Sequence, residues 1–224
     1  DQRLTADRAI LDYHNLRAAY QGDVRNQVKV FSNTSNDFGT AVEVAMERVF
    51  SRLLASGPPF LDLDGVDDYV LVTQDVKFDP GTGDFSVEVV FKADSFRSDL
   101  NALVAQGRAS TDNDKWVITA EESKFGFYFK SGGTIHANFL DFGGAVLNTG
   151  QWYRGIVTFD RSGNATGYID GVAEPTVRSI SAGDGDNMVM TKGMTIGTFK
   201  YPNQTRHWDG DIRLVRWWNR VLTP

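Results

Sequence analysis

The sequence contains no cysteine, which removes disulfide staples, thiolate metal sites and a cysteine nucleophile from consideration. It leaves the compartment open. A chain of 224 residues with 41% hydrophobic and 12% aromatic content can build a stable core without cross-links. Only three histidines occur, His14, His136 and His207, too scattered for close-spaced zinc ligands. The Gly-x-Ser-x-Gly pattern of a serine nucleophile is missing. So is Glu-x-Asp-x-x-Glu, which would set carboxylates on one strand face for glycoside cleavage. Glu88 stands alone on its strand, and Glu121 and Glu122, being adjacent, point to opposite faces of an extended segment. The net charge is −6 with no lysine or arginine cluster, which sets nucleic acid aside as a partner. No apolar run is long enough for a membrane span, and no signal peptide is visible. Because Asp1 is not an initiator methionine, a preceding segment is expected to have been removed or left out.

Proline is scarce, six in all, and two of them, Pro58 and Pro59, mark a change of character along the chain. Before them the apolar period is helical. Ala9, Ile10, Tyr13, Leu16 and Tyr20 share one face, with Thr5 as N-cap and Gly22 as stop. Residues 22–36 read as a short extended connection. Phe38, Val42, Met46, Val49 and Leu53 form the stripe of a second helix, capped by Asn36 or Asp37 and ended by Gly57-Pro58-Pro59. Phe38, Val42, Ala45 and Val49 also fit a heptad, but Arg52 breaks it. Residues 1–57 are therefore expected to be an N-terminal α-helical arm that mediates assembly.

After Pro59 the period becomes two. Phe85, Val87, Val89 and Phe91 alternate with Ser86, Glu88 and Lys92, as in a half-buried antiparallel strand. Further strands are expected at 60–64, 68–74, 102–106, 115–120, 124–130, 134–140, 152–159, 164–170, 177–181, 193–199 and 209–218. Turns rich in Gly, Asp and Asn separate them. Within 209–218, Ile212 and Leu214 share one face while Val215 and Trp217 take the other, which predicts either a bulge or a strand buried on both sides. Many short strands without helices between them make a sandwich or jelly roll.

Four phrases sharpen this. They are Leu-Asp-Leu-Asp-Gly-Val-Asp-Asp-Tyr-Val at 61–70, Gly-Gln-Trp-Tyr-Arg-Gly-Ile-Val-Thr-Phe at 150–159, Gly-Tyr-Ile-Asp-Gly at 167–171, and Asp-Gly-Asp-Ile-Arg-Leu-Val-Arg-Trp-Trp-Asn-Arg-Val-Leu-Thr at 209–223. In order and spacing, 58–224 resembles the laminin-G-like branch of the concanavalin A-like lectin/glucanase superfamily. The resemblance implies a mainly β, concanavalin A-like jelly-roll sandwich of two antiparallel sheets. The 150–159, 167–171 and 209–223 phrases would act as framework, with Trp152 and one of Trp217 and Trp218 buried. It further implies a domain that binds sugars, glycosaminoglycans or proteins, sometimes with calcium, in secreted, surface or phage structural proteins.

For calcium, turns carrying several carboxylate and carbonyl oxygens are the natural ligands. Asp184, Asp186 and Asn187 are the expected contributors. Asp112-Asn113-Asp114 and Asp64 with Asp67 and Asp68 are alternatives, although Asp64 and Asp68 are expected rather to stabilise the turn between the first strands. For a sugar, an exposed aromatic beside hydrogen-bonding side chains is required. Trp208 with Tyr201, Asn203, Arg206 and His207 is the expected platform, in a loop after Pro202, and the alternative is an edge aromatic covering the sandwich. Tyr128-Phe129-Lys130 and Ile135-His136 resemble polysaccharide-lyase motifs in the wrong order and read better as two neighbouring strands.

Two functions remain. The first is a non-catalytic structural or adhesion protein of a larger particle such as a phage virion. It would dock through residues 1–57 against neighbouring subunits, as a homo-oligomer or part of an assembly. The second is a free or modular carbohydrate-binding domain. Both place the protein outside the cell or on a virion surface, facing a glycan or a protein, with no required cofactor.

Overall fold

The computed structural model of the protein describes residues 60–97, 101–107, 112–144, 146–201 and 204–223. The expected helical arm and Asn203 lie outside them. Alternating apolar residues divided by glycine-rich turns give fifteen strands and two single 3₁₀ turns, and among the described residues there is no α-helix. The strands are β1 (Leu61–Asp64), β2 (Val70–Leu71), β3 (Phe85–Ala93), β4 (Ala102–Gln106), β5 (Lys115–Glu121), β6 (Lys124–Ser131), β7 (Thr134–Asp141) and β8 (Trp152–Phe159). They continue with β9 (Asn164–Ile169), β10 (Val172–Ala173), β11 (Arg178–Ser179), β12 (Met194–Ile196), β13 (Thr198–Tyr201), β14 (Gln204–His207) and β15 (Asp209–Trp218).

Two antiparallel sheets result. One runs β1-β15-β3-β8-β9-β10, with β11 also on β9, and the other β2-β12-β4-β5-β6-β7. Period-two alternation sends Phe85, Val87, Val89 and Phe91 of β3 inward against Trp116, Ile118, Phe125, Phe127 and Phe129 of the opposing sheet. Aromatic rings fill the gap. Phe85 stacks on Phe159 at 4.2 Å, Phe127 on Phe142 at 5.1 Å, and Phe91 meets Trp208 edge-on at 5.5 Å. Burying each such side chain is worth roughly 1.5–3 kcal/mol, so this layer carries much of the stability.

The expected strands are present, with four physical differences. The stretch 68–74 pairs only at 70–71, and 177–181 pairs only at 178–179 before a 3₁₀ turn begins at Ser181. The stretch 193–199 divides at Gly197, whose φ of +82° ends β12 and starts a new direction. Residues 204–207, expected in a loop, form β14, which pairs with β13 as a separate hairpin. That hairpin covers the outer face of the six-stranded sheet, where Phe199 joins Ala102, Ala105, Val117 and Tyr128 in a second apolar cluster. Of the two readings of 209–218 the structure shows the bulge, as a register shift in β15 between Ile212 and Leu214 against β3.

Candidate functional site

The acidic turns resolve into internal fastenings. Asp64 Oδ1 accepts the amides of Val66 (2.8 Å) and Asp67 (3.4 Å), and Asp68 Oδ2 accepts the Asp64 amide (3.3 Å). The Val66 amide is the main cause holding the Asp64 carboxyl below its ordinary pKa. The turn-stabilising role expected for this group is what the geometry displays. Among the described residues it is also the one set of three carboxylates whose oxygens lie within 4.8 Å of one another.

The 184–187 loop is organised by a cation of the protein's own. Arg161, 1% exposed, donates from Nη2 to Gly183 O (2.6 Å) and Asp186 O (2.7 Å), and from Nη1 to Gly81 O (3.2 Å). Its guanidinium also lies 5.6 Å from the Phe129 ring centroid. Burial lowers the Arg161 pKa, and nearby Asp186, Asp184, Asp114 and Asp84 oppose that effect. The Asp186 carboxylate accepts from Ser131 Oγ (2.8 Å) and stands 3.8 Å from His136 Nε2, while Asp184 and Asn187 are exposed. The carbonyls of Gly183 and Asp186 are thus engaged by a guanidinium. Asp114 bridges Gly132 N (2.9 Å) and Val189 N (3.3 Å), fastening one loop to another.

The expected Trp208 platform is corrected. Trp208 is 0% exposed, wedged edge-on against Phe91 and Phe96, because the chain passes there from β14 into β15 and turns the indole between the sheets. His207 is buried, with Nδ1 3.2 Å from Asp68 O. Arg206 lies over the Phe139 ring at 5.2 Å. Arg206, His207 and Trp208 thus fasten the hairpin and present no stacking surface. Tyr201 lies on β13, paired opposite Gln204. Tyr128-Phe129-Lys130 and Ile135-His136 are indeed neighbouring strands, with Lys130 opposite Ile135.

An exposed aromatic surface lies elsewhere, on the outer face of the seven-stranded sheet. Trp152, expected to be buried, is only partly buried there. In β8 it is Tyr153, Gly155, Val157 and Phe159 that face inward, so Trp152 faces out. Counting by twos along 152–159 would have found this; the framework assignment obscured it. Strand pairing aligns Asp62, Asp211, Lys92 and Trp152 in one row across β1, β15, β3 and β8. Phe60, 51% exposed, meets Trp152 edge-on at 5.9 Å. Lys92 Nζ pairs with Asp211 Oδ2 at 2.5 Å and lies 5.7 and 5.6 Å from the Phe60 and Trp152 centroids. Arg213, the extra residue of the bulge, lies 4.1 Å from the Trp152 centroid. The hydrogen bond that Lys92 donates to Asp211 is the main cause raising the Lys92 pKa. Burial, then Asp211, raises that of Asp62. Aromatic rings flanked by donors and acceptors can stack on a sugar ring and bond its hydroxyls.

A laminin-G-like family model described as the concanavalin A-like lectin/glucanases superfamily matches residues 64–224. No curated protein sequence matches the chain. Among solved structures, the receptor binding domain of botulinum neurotoxin D is similar with a TM-score of 0.56 at 13% identity, covering 76% of this chain and 42% of that one. The binding domain of Paraclostridial Mosquitocidal Protein 1 gives 0.54 at 15%, covering 75% and 44%. The CBM40 of Ruminococcus gnavus IT-sialidase, bound to α2,3 sialyllactose, gives 0.50 at 8%, covering 74% and 94%. The chain thus spans less than half of the toxin domains and nearly all of the sialidase module. At such identities the likeness concerns the fold.

Proposed function

This chain belongs to the concanavalin A-like lectin/glucanases superfamily, and from that premise we propose that it is a non-catalytic recognition protein that binds carbohydrate through the Trp152 surface. The observation that carries the reading is the partly exposed Trp152 beside exposed Phe60, set in a row with Lys92 and Asp62. Indole and phenyl rings offer apolar faces to sugar C–H groups, and the charged row offers both donors and acceptors for hydroxyls. The sialidase module of the same fold, with its bound saccharide, supports the ligand class. The non-catalytic part rests on Glu88, which is 1% exposed beneath Arg154 and Arg216. Asp211 is likewise held by Lys92 and is not free to act as acid or nucleophile.

Display on a larger extracellular particle such as a phage virion is the finer form of this proposal. In it, residues 1–57 dock against neighbouring subunits. It is favoured by the family match starting at residue 64, which leaves an amphipathic segment that the recognition domain does not account for. Calcium at Asp184, Asp186 and Asn187 is not needed for the reading. The test is a glycan array probed with the full chain, followed by calorimetry on the best ligand. Trp152→Ala is expected to weaken binding at least tenfold while the protein remains folded, with Trp152→Phe losing less, and no glycosidic bond should be cleaved. A flat array, or binding indifferent to Trp152, would refute the proposal.

A further inference from the structure

The indole of Trp152 is already in contact with a group of the protein's own. Arg213 Cζ lies over the ring, 4.1 Å from its centroid. Carbon atoms in contact stand about 3.5–4.0 Å apart, so the guanidinium fills the layer that a stacked sugar ring would take on that face. Arg213 is itself exposed, so the face it covers is the one turned to solvent. The other neighbours of the indole do not stack on it. Phe60 meets it at 63° and 5.9 Å, too steeply and too far, and Lys92 Nζ stands 5.6 Å from the centroid.

This cover is fixed at its root and free at its tip. The backbone of β15 sets Arg213 at the register shift between Ile212 and Leu214, while β3 beside it stays in regular pairing with β8, the strand of Trp152. The root therefore cannot slide away from the indole. The guanidinium, by contrast, is held by no hydrogen bond or ion pair among the described residues. Its neighbours on the same face differ: Lys92 is tied to Asp211 at 2.5 Å, and Arg154 and Arg216 both reach Glu88. A cation resting on an exposed ring is held weakly, so lifting it costs a ligand only about two- to fivefold in affinity.

We propose that Arg213 is a displaceable cover of the Trp152 site, lying on the indole in the free protein and swinging off it when a sugar ring stacks there. This rests on the carbohydrate reading above and adds the regulation of that same site. Stacked sugar and stacked guanidinium exclude one another. The apparent affinity is then the intrinsic one reduced by the fraction of molecules whose indole is uncovered.

Acrylamide quenching of tryptophan fluorescence reads the cover without any ligand. In the full chain, Arg213→Ala is expected to raise the quenching constant, and the rise should vanish when the same substitution is made in a Trp152→Phe background. Calorimetric titration with neutral gluco-, galacto- and manno-oligosaccharides reads the consequence. Arg213→Ala is expected to bind the best of them about two- to fivefold more tightly than the unsubstituted chain. Near-ultraviolet dichroism should stay unchanged, because the substituted side chain is exposed. Unchanged quenching overturns the cover while leaving carbohydrate recognition through Trp152 standing. Weaker binding by Arg213→Ala also overturns it and makes the guanidinium a contact of the bound sugar. Raised quenching with unchanged affinity overturns its control of binding. Absence of saccharide binding by either protein overturns the carbohydrate reading, and the regulation falls with it.

Discussion

Arg161 keeps its charge at 1% exposure because three backbone carbonyls, from Gly81, Gly183 and Asp186, accept its protons. Replacing it with Met would keep the volume but leave those acceptors unpaired in a dry site. The expected cost is about 3 kcal/mol or more, read as a lower urea midpoint at unchanged slope. Nothing local in the sequence announces this role: Arg161 sits in an Asp-Arg-Ser-Gly turn that reads as a solvated loop. Its partners come from segments about twenty and eighty residues away, so only the fold brings them together. The tryptophans teach the converse. Trp152 was legible as outward by strand parity, whereas Trp208 was not legible as buried, because no period spans the passage from one strand into another.

At the scale of elements, Gly197 decides where the hairpin goes. Its φ of +82° separates β12 from β13, and a Cβ there would meet Leu63 Cδ1 at 2.5 Å. Gly197→Ala is expected to destabilise by about 2 kcal/mol, seen as a drop of several degrees in unfolding temperature. The hairpin then covers the six-stranded sheet through Phe199, whereas the opposite outer face leaves Trp152 only partly buried. On that face the β15 bulge does comparable work. It adds Arg213 to the outward side and so sets a guanidinium over Trp152. The bulge was one of two readings that the apolar phase slip allowed; its consequence for Arg213 was not legible, because that depends on β8 lying beyond β3 in the same sheet.

For the whole molecule, the apolar clusters of the described residues lie within and over the two sheets, with aromatic rings from both sheets packed together. Residues 58–224 produced alone are expected to fold cooperatively on that core, with a single calorimetric transition and near-ultraviolet dichroism from the packed aromatics. A calcium ion bound at a hundred times its dissociation constant would add about 2.7 kcal/mol. With Arg161 on the loop carbonyls, moving from chelator to millimolar calcium is expected to leave that transition in place. A marked rise that Asp184→Ala abolishes would assign Asp184, Asp186 and Asn187 as metal ligands.

By itself, the sequence determined the strands, the sandwich and the family, because period-two alternation, turn residues and framework phrases are local signals that every register of the fold must respect. The tertiary structure alone decided which aromatic meets solvent and which carbonyls meet a guanidinium. It also decided which charges lie on top of which. Those properties depend on strands distant in sequence lying side by side: Phe60 and Trp152 come within 5.9 Å, and one buried Glu88 is shared between Arg154 and Arg216.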